Sequence, residues 1–512
     1  LISTDVARAL REDLYVHLCR LDSAFYARYP LGDLLARTSQ DIEAVRRFFR
    51  SAVHRLISLV AVSAIAPIVM LTLAPGLTLW LVPSLAVAAL VLALLARRVR
   101  RQTTAVQRDF GAMTEVVQQN LAGIRTIQLH AQEERELAHL SKFVDRYARD
   151  NVQLLSTQAV LVAAGTLASG FMTCTVLCVG GRAVLESRLS IGTLTAFLFY
   201  LAMLLAVLRE CSWPVYSFLA AMVGASRIFE ILEQRPGIRD CGVQKPNGPL
   251  SGRMETRSLS YAYPAEPSAR PTPWVLDDVT LAIEPGEFVA IVGPVGAGKS
   301  TLLRCLARQL EPQLGEVLFD GYKLTDLPIA GLRRELTFVS QECRLFAASI
   351  AQNIAYDDPT RPEASIWAAA SAAGLKQTLE RWPEGLETSV GDRGVKLSGG
   401  QRQRVALARG LIRQTPVCLL DDCLSGLDAE TEAGIVAQLQ AQRGLRTIVL
   451  VTHRARTAQK AQRIFVLEAG RLVDVGTHDE LSLRCEYYKQ LNESVDPRRV
   501  SAYASTVSVD AV

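Results

Sequence analysis

With 512 residues, the chain is too long for a single small module and has room for about three domains of ordinary size. Lys+Arg 56 against Asp+Glu 51 leaves a net charge of +5, too mild an excess for a nucleic-acid binder that works by neutralising phosphates. An apolar fraction of 49% beside 21% charged residues implies that the apolar residues are concentrated in blocks.

The chain opens on Leu1, and LISTDVARALREDLYVHLCR has no apolar core of signal-peptide type, so it reads as an N-terminally incomplete copy of a longer one. Its first stretch has helical character with a break at Tyr29-Pro30-Leu31-Gly32-Asp33, which is either a contact point for a cytoplasmic domain or a plain turn. From Leu56 to Ala96 no Asp, Glu, Lys, Arg or His occurs, a length of two spans at about 20 residues each, divided by Ala74-Pro75-Gly76. Arg46, Arg47, Arg50 and Arg55 precede this pair, and Arg97, Arg98, Arg100 and Arg101 follow it, which puts both flanks in the cytoplasm and the turn outside. Apolar positions at helical spacing from Val106 to Ile124 predict two cytoplasmic helices turning near Ala122-Gly123. A second uncharged region, Asn151 to Gly181, and a third, Leu189 to Leu208, complete four predicted spans, near 56–75, 77–96, 157–181 and 189–208.

Residues 234–252 are Pro/Gly-rich and read as a linker. Beyond it, β-branched runs such as Phe288–Val292 and Thr447–Val451 alternate with helical stretches, the pattern of a layered α/β domain over 253–491. A Ser/Val/Ala-rich flexible tail, 492–512, follows. The expected fold is therefore an α-helical transmembrane domain, 1–233, ahead of an α/β domain. Ten cysteines show no zinc or redox spacing; Cys174 and Cys178 lie in an apolar run, where small thiols are ordinary packing.

Three motifs carry chemistry. Gly293-Pro294-Val295-Gly296-Ala297-Gly298-Lys299-Ser300 follows a strand and fits G-x-x-x-x-G-K-[ST], in which glycines let backbone N–H groups wrap a phosphate. Here Lys299 reaches the β- and γ-phosphates and Ser300 ligates Mg²⁺, with Thr301 next in the same turn. An apolar strand ends at Asp421-Asp422, where Asp421 is placed to hold the metal and Asp422 to act beside the γ-phosphate as base or water-orienting group. Leu397-Ser398-Gly399-Gly400-Gln401 opens an amphipathic helix, as a second anion-binding helix start or merely a cap.

The order GPVGAGKS, VSQE, LSGGQ, CLLDD, SGLD and VTHR resembles the nucleotide-binding domain of ATP-binding cassette (ABC) transporters, with its LSGGQ helical subdomain; the preceding region resembles an exporter half-transporter. The resemblance runs to about Leu491 and implies several roles. Tyr263 stacks on adenine while Tyr261 packs, Gln341 touches Mg²⁺, His453 contacts the γ-phosphate, and Ser425 to Asp428 crosses a dimer interface. It also implies that Pro30 to Leu35 lies near a coupling helix, and that ATP is sandwiched between this phosphate loop and the LSGGQ of a second half-transporter. Two departures stand out. The family's first membrane hairpin is missing, and Asp422 stands where a catalytic Glu is usual, its carboxylate falling short by about 1.5 Å. That Asp resembles one subunit of heterodimeric bacterial multidrug exporters. Asp392 is likewise shorter than the usual Glu of its loop. The expectation is ATP-driven export of a hydrophobic or amphipathic small molecule across a bacterial cell membrane, in contact with lipid, with ATP and Mg²⁺ as cofactors. The alternatives are an ATP-binding regulatory or structural subunit, or a transport-dead fragment.

Overall fold

The computed structural model describes residues 2–210, 212–244, 246, 248–264, 273–391 and 394–493. Asp392 and nearly all of the expected tail, 494–512, lie outside them. The chain forms two compact units, one of Leu1–Cys19 with Leu31–Gln234, the other of Arg20–Pro30 with Arg235–Val512. The single stretch 1–233 expected as the first domain is thus interrupted by residues that belong to the second.

In the first unit, helices Leu31–Leu73, Pro75–Ala122 and Glu133–Leu185 are long and apolar enough to cross a membrane. The break between the first two is tighter than the expected three-residue turn. Only Ala74 leaves helical geometry, with φ −153 and its N–H bonded to Met70 O, and Pro75 starts the next helix where a missing N–H costs nothing. At 1.5 Å per residue the 48 residues of Pro75–Ala122 extend about 70 Å, more than twice the hydrocarbon core, so the helix continues well past the bilayer. It ends at Gly123, as expected, and a short helix Ile124–Leu129 makes the turn. The fourth expected span lies in helix Ile191–Glu210, which begins two residues later than expected. Ser190 sets the start, its Oγ accepting from Thr193 N at 3.0 Å, which leaves Leu189 outside. Met70, Leu77, Leu81, Met172, Val176, Phe197 and Leu201 pack these helices together.

Below the apolar segments, helix Leu31–Leu73 is locked to helix Ser212–Leu232 by charge. Buried Arg37 donates to Asp33 (2.9 Å), Glu230 (2.8 Å) and the carbonyl of Arg227 (2.7 Å), while Arg227 pairs with Asp33 (2.5 Å) and Asp41 (3.4 Å). Arg37–Asp41 and Phe48–Ala52 are wider π-type turns within the long helix, a local irregularity that no apolar spacing announces.

Among its described residues the second unit contains ten strands: β1 Met254–Tyr261, β2 Leu276–Ile283, β3 Phe288–Val292, β4 Leu314–Phe319, β5 Tyr322–Lys323, β6 Leu336–Val339, β7 Val417–Asp421, β8 Thr447–Val451, β9 Arg463–Glu468 and β10 Arg471–Gly476. An antiparallel sheet has order β2-β1-β4-β5 and a larger one β10-β9-β3-β8-β7-β6. Within the larger sheet β9 through β6 are parallel and β10 is an antiparallel edge. Continuous apolar runs are what a sheet covered on both faces requires. Along β7, Val417 and Leu419 join one core, with Leu302 and Leu306, and Cys418 and Leu420 join the other, with Val405 and Ala408.

The expected linker is tied down on this unit. Arg308 donates to the carbonyl of Arg239 (2.9 Å), and Asp240 accepts from Ile329 N (2.9 Å). The inserted segment Arg20–Pro30 carries helix Ser23–Arg28, capped by Asp22 through Phe25 N at 3.0 Å. Gly237 passes so near Asp22 that a Cβ there would collide with its carboxylate.

Candidate functional site

Each chemical motif leaves the C-terminal edge of the parallel sheet, where open α/β sheets bind ligands. β3 ends at Val292 and passes into the phosphate loop; β6 ends at Val339, two residues before Gln341. β7 ends on Asp421, and β8 ends at Val451, two residues before His453. Since β3, β8, β7 and β6 are successive neighbours, the topology gathers residues more than 150 positions apart into one row. They line a cavity of 330 Å³ to which Gly296, Gly298, Lys299, Ser300, Thr301, Gln341, Asp422 and His453 contribute.

The loop's shape depends on glycine at two points. Gly293 has φ +156 and Gly298 φ +95, and a Cβ on either would run into a backbone carbonyl, that of Leu467 or Val275. Lys299 curls over the loop, its Nζ donating to the carbonyls of Gly293 (2.8 Å) and Pro294 (2.7 Å). Two of its three protons are so used and the third is free to face an anion. Val295 stands exposed at the loop tip, whereas Ala297 is buried beneath it.

Ser300 Oγ donates to Asp421 Oδ1 at 2.7 Å, which unites the two residues expected to share a metal. Asp422 takes φ +43, a left-handed conformation that Asp tolerates better than most residues. Its N–H donates to Val451 O (3.2 Å) and its Oδ2 accepts from Gln341 Nε2 (3.3 Å). Burial pushes both carboxyls up from the usual range, Asp421 against the bond from Ser300 and Asp422 against the nearby His453. Burial also pulls Lys299 down, and burial with Lys299 pulls His453 down. The row is a polar site withdrawn from water in which a neutral imidazole faces two carboxylates.

Tyr263 is half-exposed, with its OH 3.2 Å from Thr301 Oγ1, and Tyr261 is buried; the two rings meet edge-on at 5.1 Å. Ser398 and Gln401 hold each other in a capping box, Gln401 N donating to Ser398 Oγ (3.3 Å) and Ser398 N to Gln401 Oε1 (2.9 Å). Gly399 and Gly400 line a separate cavity of 400 Å³ that shares Gln341 with the first. Within one chain the LSGGQ helix start therefore does not border the phosphate-loop cavity. Leu397, expected among the nucleotide-binding residues, has its side chain in the hydrophobic core. Sequence reasoning missed Arg454, whose guanidinium donates to the carbonyls of Ser425 (2.8 Å) and Leu427 (3.3 Å) and pairs with Glu432, fixing the loop Ser425–Asp428. Its place directly after His453 was the available signal.

Comparison with known proteins adds the following. The family described as ABC transporter transmembrane region matches residues 1–208, and the family described as ABC transporter matches 276–425. An ATP-dependent lipid A-core flippase of Aromatoleum aromaticum is 31% identical over 96% of this chain and 80% of its own. ABC transporter B family member 1 of Dictyostelium discoideum is 31% identical over 93% of this chain and 52% of its own. A solved bacterial Atm1-family ABC exporter with ATP bound superimposes with TM-score 0.79 at 24% identity, covering 100% of this chain and 86% of that one.

Proposed function

Since this chain belongs to the ABC transporter family, as an exporter-type half-transporter and multi-pass membrane protein whose cytoplasmic domain couples ATP hydrolysis to transport, we propose that it pairs with a second, different half to move an amphipathic, lipid-like substrate outward. The observation that carries this is the row at the sheet edge, where Lys299, Ser300, Asp421, Asp422, Gln341 and His453 converge while the chain's own LSGGQ start faces elsewhere. A helix start with free N–H groups and no anion of its own is suited to the γ-phosphate held by a second chain. The lipid-like cargo rests on the flippases among the relatives.

The oxygen donors Ser300, Asp421 and Gln341 suit Mg²⁺, which takes few protein ligands and completes its shell with water and phosphate. Among the described residues no group of three His, Cys, Asp or Glu stands ready to hold a metal unaided. When bound, Mg²⁺ neutralises charge on the terminal phosphates. Lys299 binds those phosphates, His453 offers a neutral ring nitrogen to the γ-phosphate, and Asp422 orients the attacking water for in-line displacement. Asp422 is short and bonded to Gln341, which favours a slow site here and a faster one built on the partner's phosphate loop. The same observation supports the second reading, a subunit that binds ATP and hydrolyses little.

Steady-state ATPase rates and the mass of the purified complex test this. Gly399→Asp is the cleaner change in LSGGQ, because a Cβ there meets open space, whereas one on Gly400 would press on Gly426 O at 3.2 Å. In a heterodimer Gly399→Asp removes most turnover, about 100-fold or more for a carboxylate set against the γ-phosphate, and Asp422→Asn costs only a few-fold. Equal losses in a complex made only of this chain would overturn the heterodimer and make Asp422 the working carboxylate. A complex whose turnover survives Gly399→Asp would favour the second reading.

A further inference from the structure

Helix Gly399–Leu411 begins at the LSGGQ sequence, and the loop Ser425–Asp428 lies between β7 and helix Ala429–Ala441. The two meet at a pair of glycines. Gly426 N–H donates to Gln403 Oε1 at 3.1 Å, and a Cβ on Gly400 would press on Gly426 O at 3.2 Å. Gly426 does not have a positive φ, so its backbone would accept alanine; a Cβ there would instead strike the Gln403 amide. Gln403 follows Gly399 and Gly400 by four and three residues, which puts it on their face of the helix, and all three line the same cavity with Gly426. From its other side the loop is held by this chain's own nucleotide row. Ser425 Oγ donates to the Asp422 carbonyl at 3.0 Å, and Arg454, next to His453, donates to the carbonyls of Ser425 and Leu427. Among the described residues, no other hydrogen bond joins the loop to the LSGGQ helix.

We propose that Gln403 is a positioning residue for ATP hydrolysis on the second half. By holding Gly426 it makes the loop Ser425–Asp428 and the LSGGQ start one surface, so that both meet the nucleotide on the partner's phosphate loop in a fixed relation. The proposal rests on the reading that this chain's LSGGQ start completes the partner's site. A bond of this kind does little for the fold. The helix is already anchored through Val405, Leu407 and Ala408 in the core, whereas Gln403 and Gly426 meet at the surface. What the bond fixes is the first turn of the helix, whose N–H groups must be held within about 0.5 Å of their productive place at the γ-phosphate. Without Gln403 the loop would follow Asp422 and Arg454, and the LSGGQ start would follow its own helix. With it, a displacement of either becomes a displacement of both.

Steady-state ATPase of the purified complex, read together with nucleotide photolabelling of this chain and the melting temperature, tests the assignment. Gln403→Ala should lower kcat about 3- to 10-fold, the worth of one neutral hydrogen bond, and leave KM for ATP, photolabelling and melting as in the wild type. A fall in melting temperature or photolabelling that matches the lost turnover would make Gln403 a structural residue only and overturn the proposal. Gly426→Ala should cost at least as much, and the double variant no more than Gln403→Ala alone, because the added Cβ then has room. Losses that multiply, or a Gly426→Ala complex indistinguishable from wild type, would overturn it. In an Asp422→Asn background Gln403→Ala should cost the same factor, since it acts on the partner's nucleotide; a loss that vanishes there would place Gln403 in this chain's own site and overturn it. Gly399→Asp, assayed in parallel, separates the proposal from its premise. Turnover that survives Gly399→Asp overturns the reading of LSGGQ and the proposal with it, whereas turnover lost to Gly399→Asp but changed less than twofold by Gln403→Ala overturns the proposal alone.

Discussion

Lys299 illustrates how a motif letter becomes a physical constraint. Its Nζ is held by two loop carbonyls and lies in a cavity that burial has already made hostile to its charge, so an anion there is strongly favoured. Lys299→Ala removes a charge-assisted contact that neighbouring N–H groups cannot replace, and nucleotide photolabelling of this chain should fall 10-fold or more at sub-saturating ATP, taking about 1.5–3 kcal/mol for such a bond. His453 gives a pH prediction. Its pKa lies below the usual 6.5, so the neutral imidazole persists down to pH 6.5 and below, and turnover should decline only as pH falls through the lowered value. The unfolded chain protonates first, near 6.5, so the same residue takes stability away as pH drops below that point. His453→Gln should flatten the acid limb of the ATPase profile; an unchanged limb would exclude His453 as its source. Tyr261 and Tyr263 show what spacing alone does not reveal: alternation would put residues two apart on one face, and Tyr263 is half-exposed because β1 ends at the buried Tyr261.

At the scale of elements, strands were legible because a sheet covered on both faces demands unbroken apolar runs, and each motif marks the end of one such run. Membrane helices were legible for the related reason that charge is excluded along their length. Contacts between distant elements were not. Arg37 reads in sequence as one more basic residue beside Asp33, yet it clamps helix Leu31–Leu73 to helix Ser212–Leu232. This clamp sits near two of the three places where the chain passes between units, at Leu31 and at Gln234. Arg37→Ala should leave nucleotide binding at the second unit intact while transport falls several-fold more than ATP turnover, because the two helices no longer move together. Parallel assays of both activities in reconstituted vesicles check it, and equal losses would mean that Arg37 serves folding alone. Arg37→Lys, keeping charge but not the forked geometry, should fall between the two.

For the molecule as a whole, composition predicted a membrane part and an α/β part in series, and the structure changes how the division runs. Local signals such as Pro30 and the stretch 234–252 mark bends in the chain, and a bend alone does not say which unit its residues join. Residues 20–30 join the second, so the chain passes between units three times where a serial arrangement would pass once. A protease site inserted between Gly248 and Pro249 would make the outcome visible. Cleavage there severs the peptide connection and leaves residues 20–30, with helix Ser23–Arg28, in the fold of the other unit, along with Arg239 and Asp240, which stay bonded to Arg308 and to Ile329 N across the cut. The two fragments should therefore co-elute on size exclusion in mild detergent and part only under denaturant; separation in native buffer would mean that the embedded segment holds too weakly to matter. Either half made alone would start life incomplete, one with a stray peptide and the other with a vacant slot, so reassembly from separately expressed pieces should succeed only when residues 20–30 travel with the N-terminal piece.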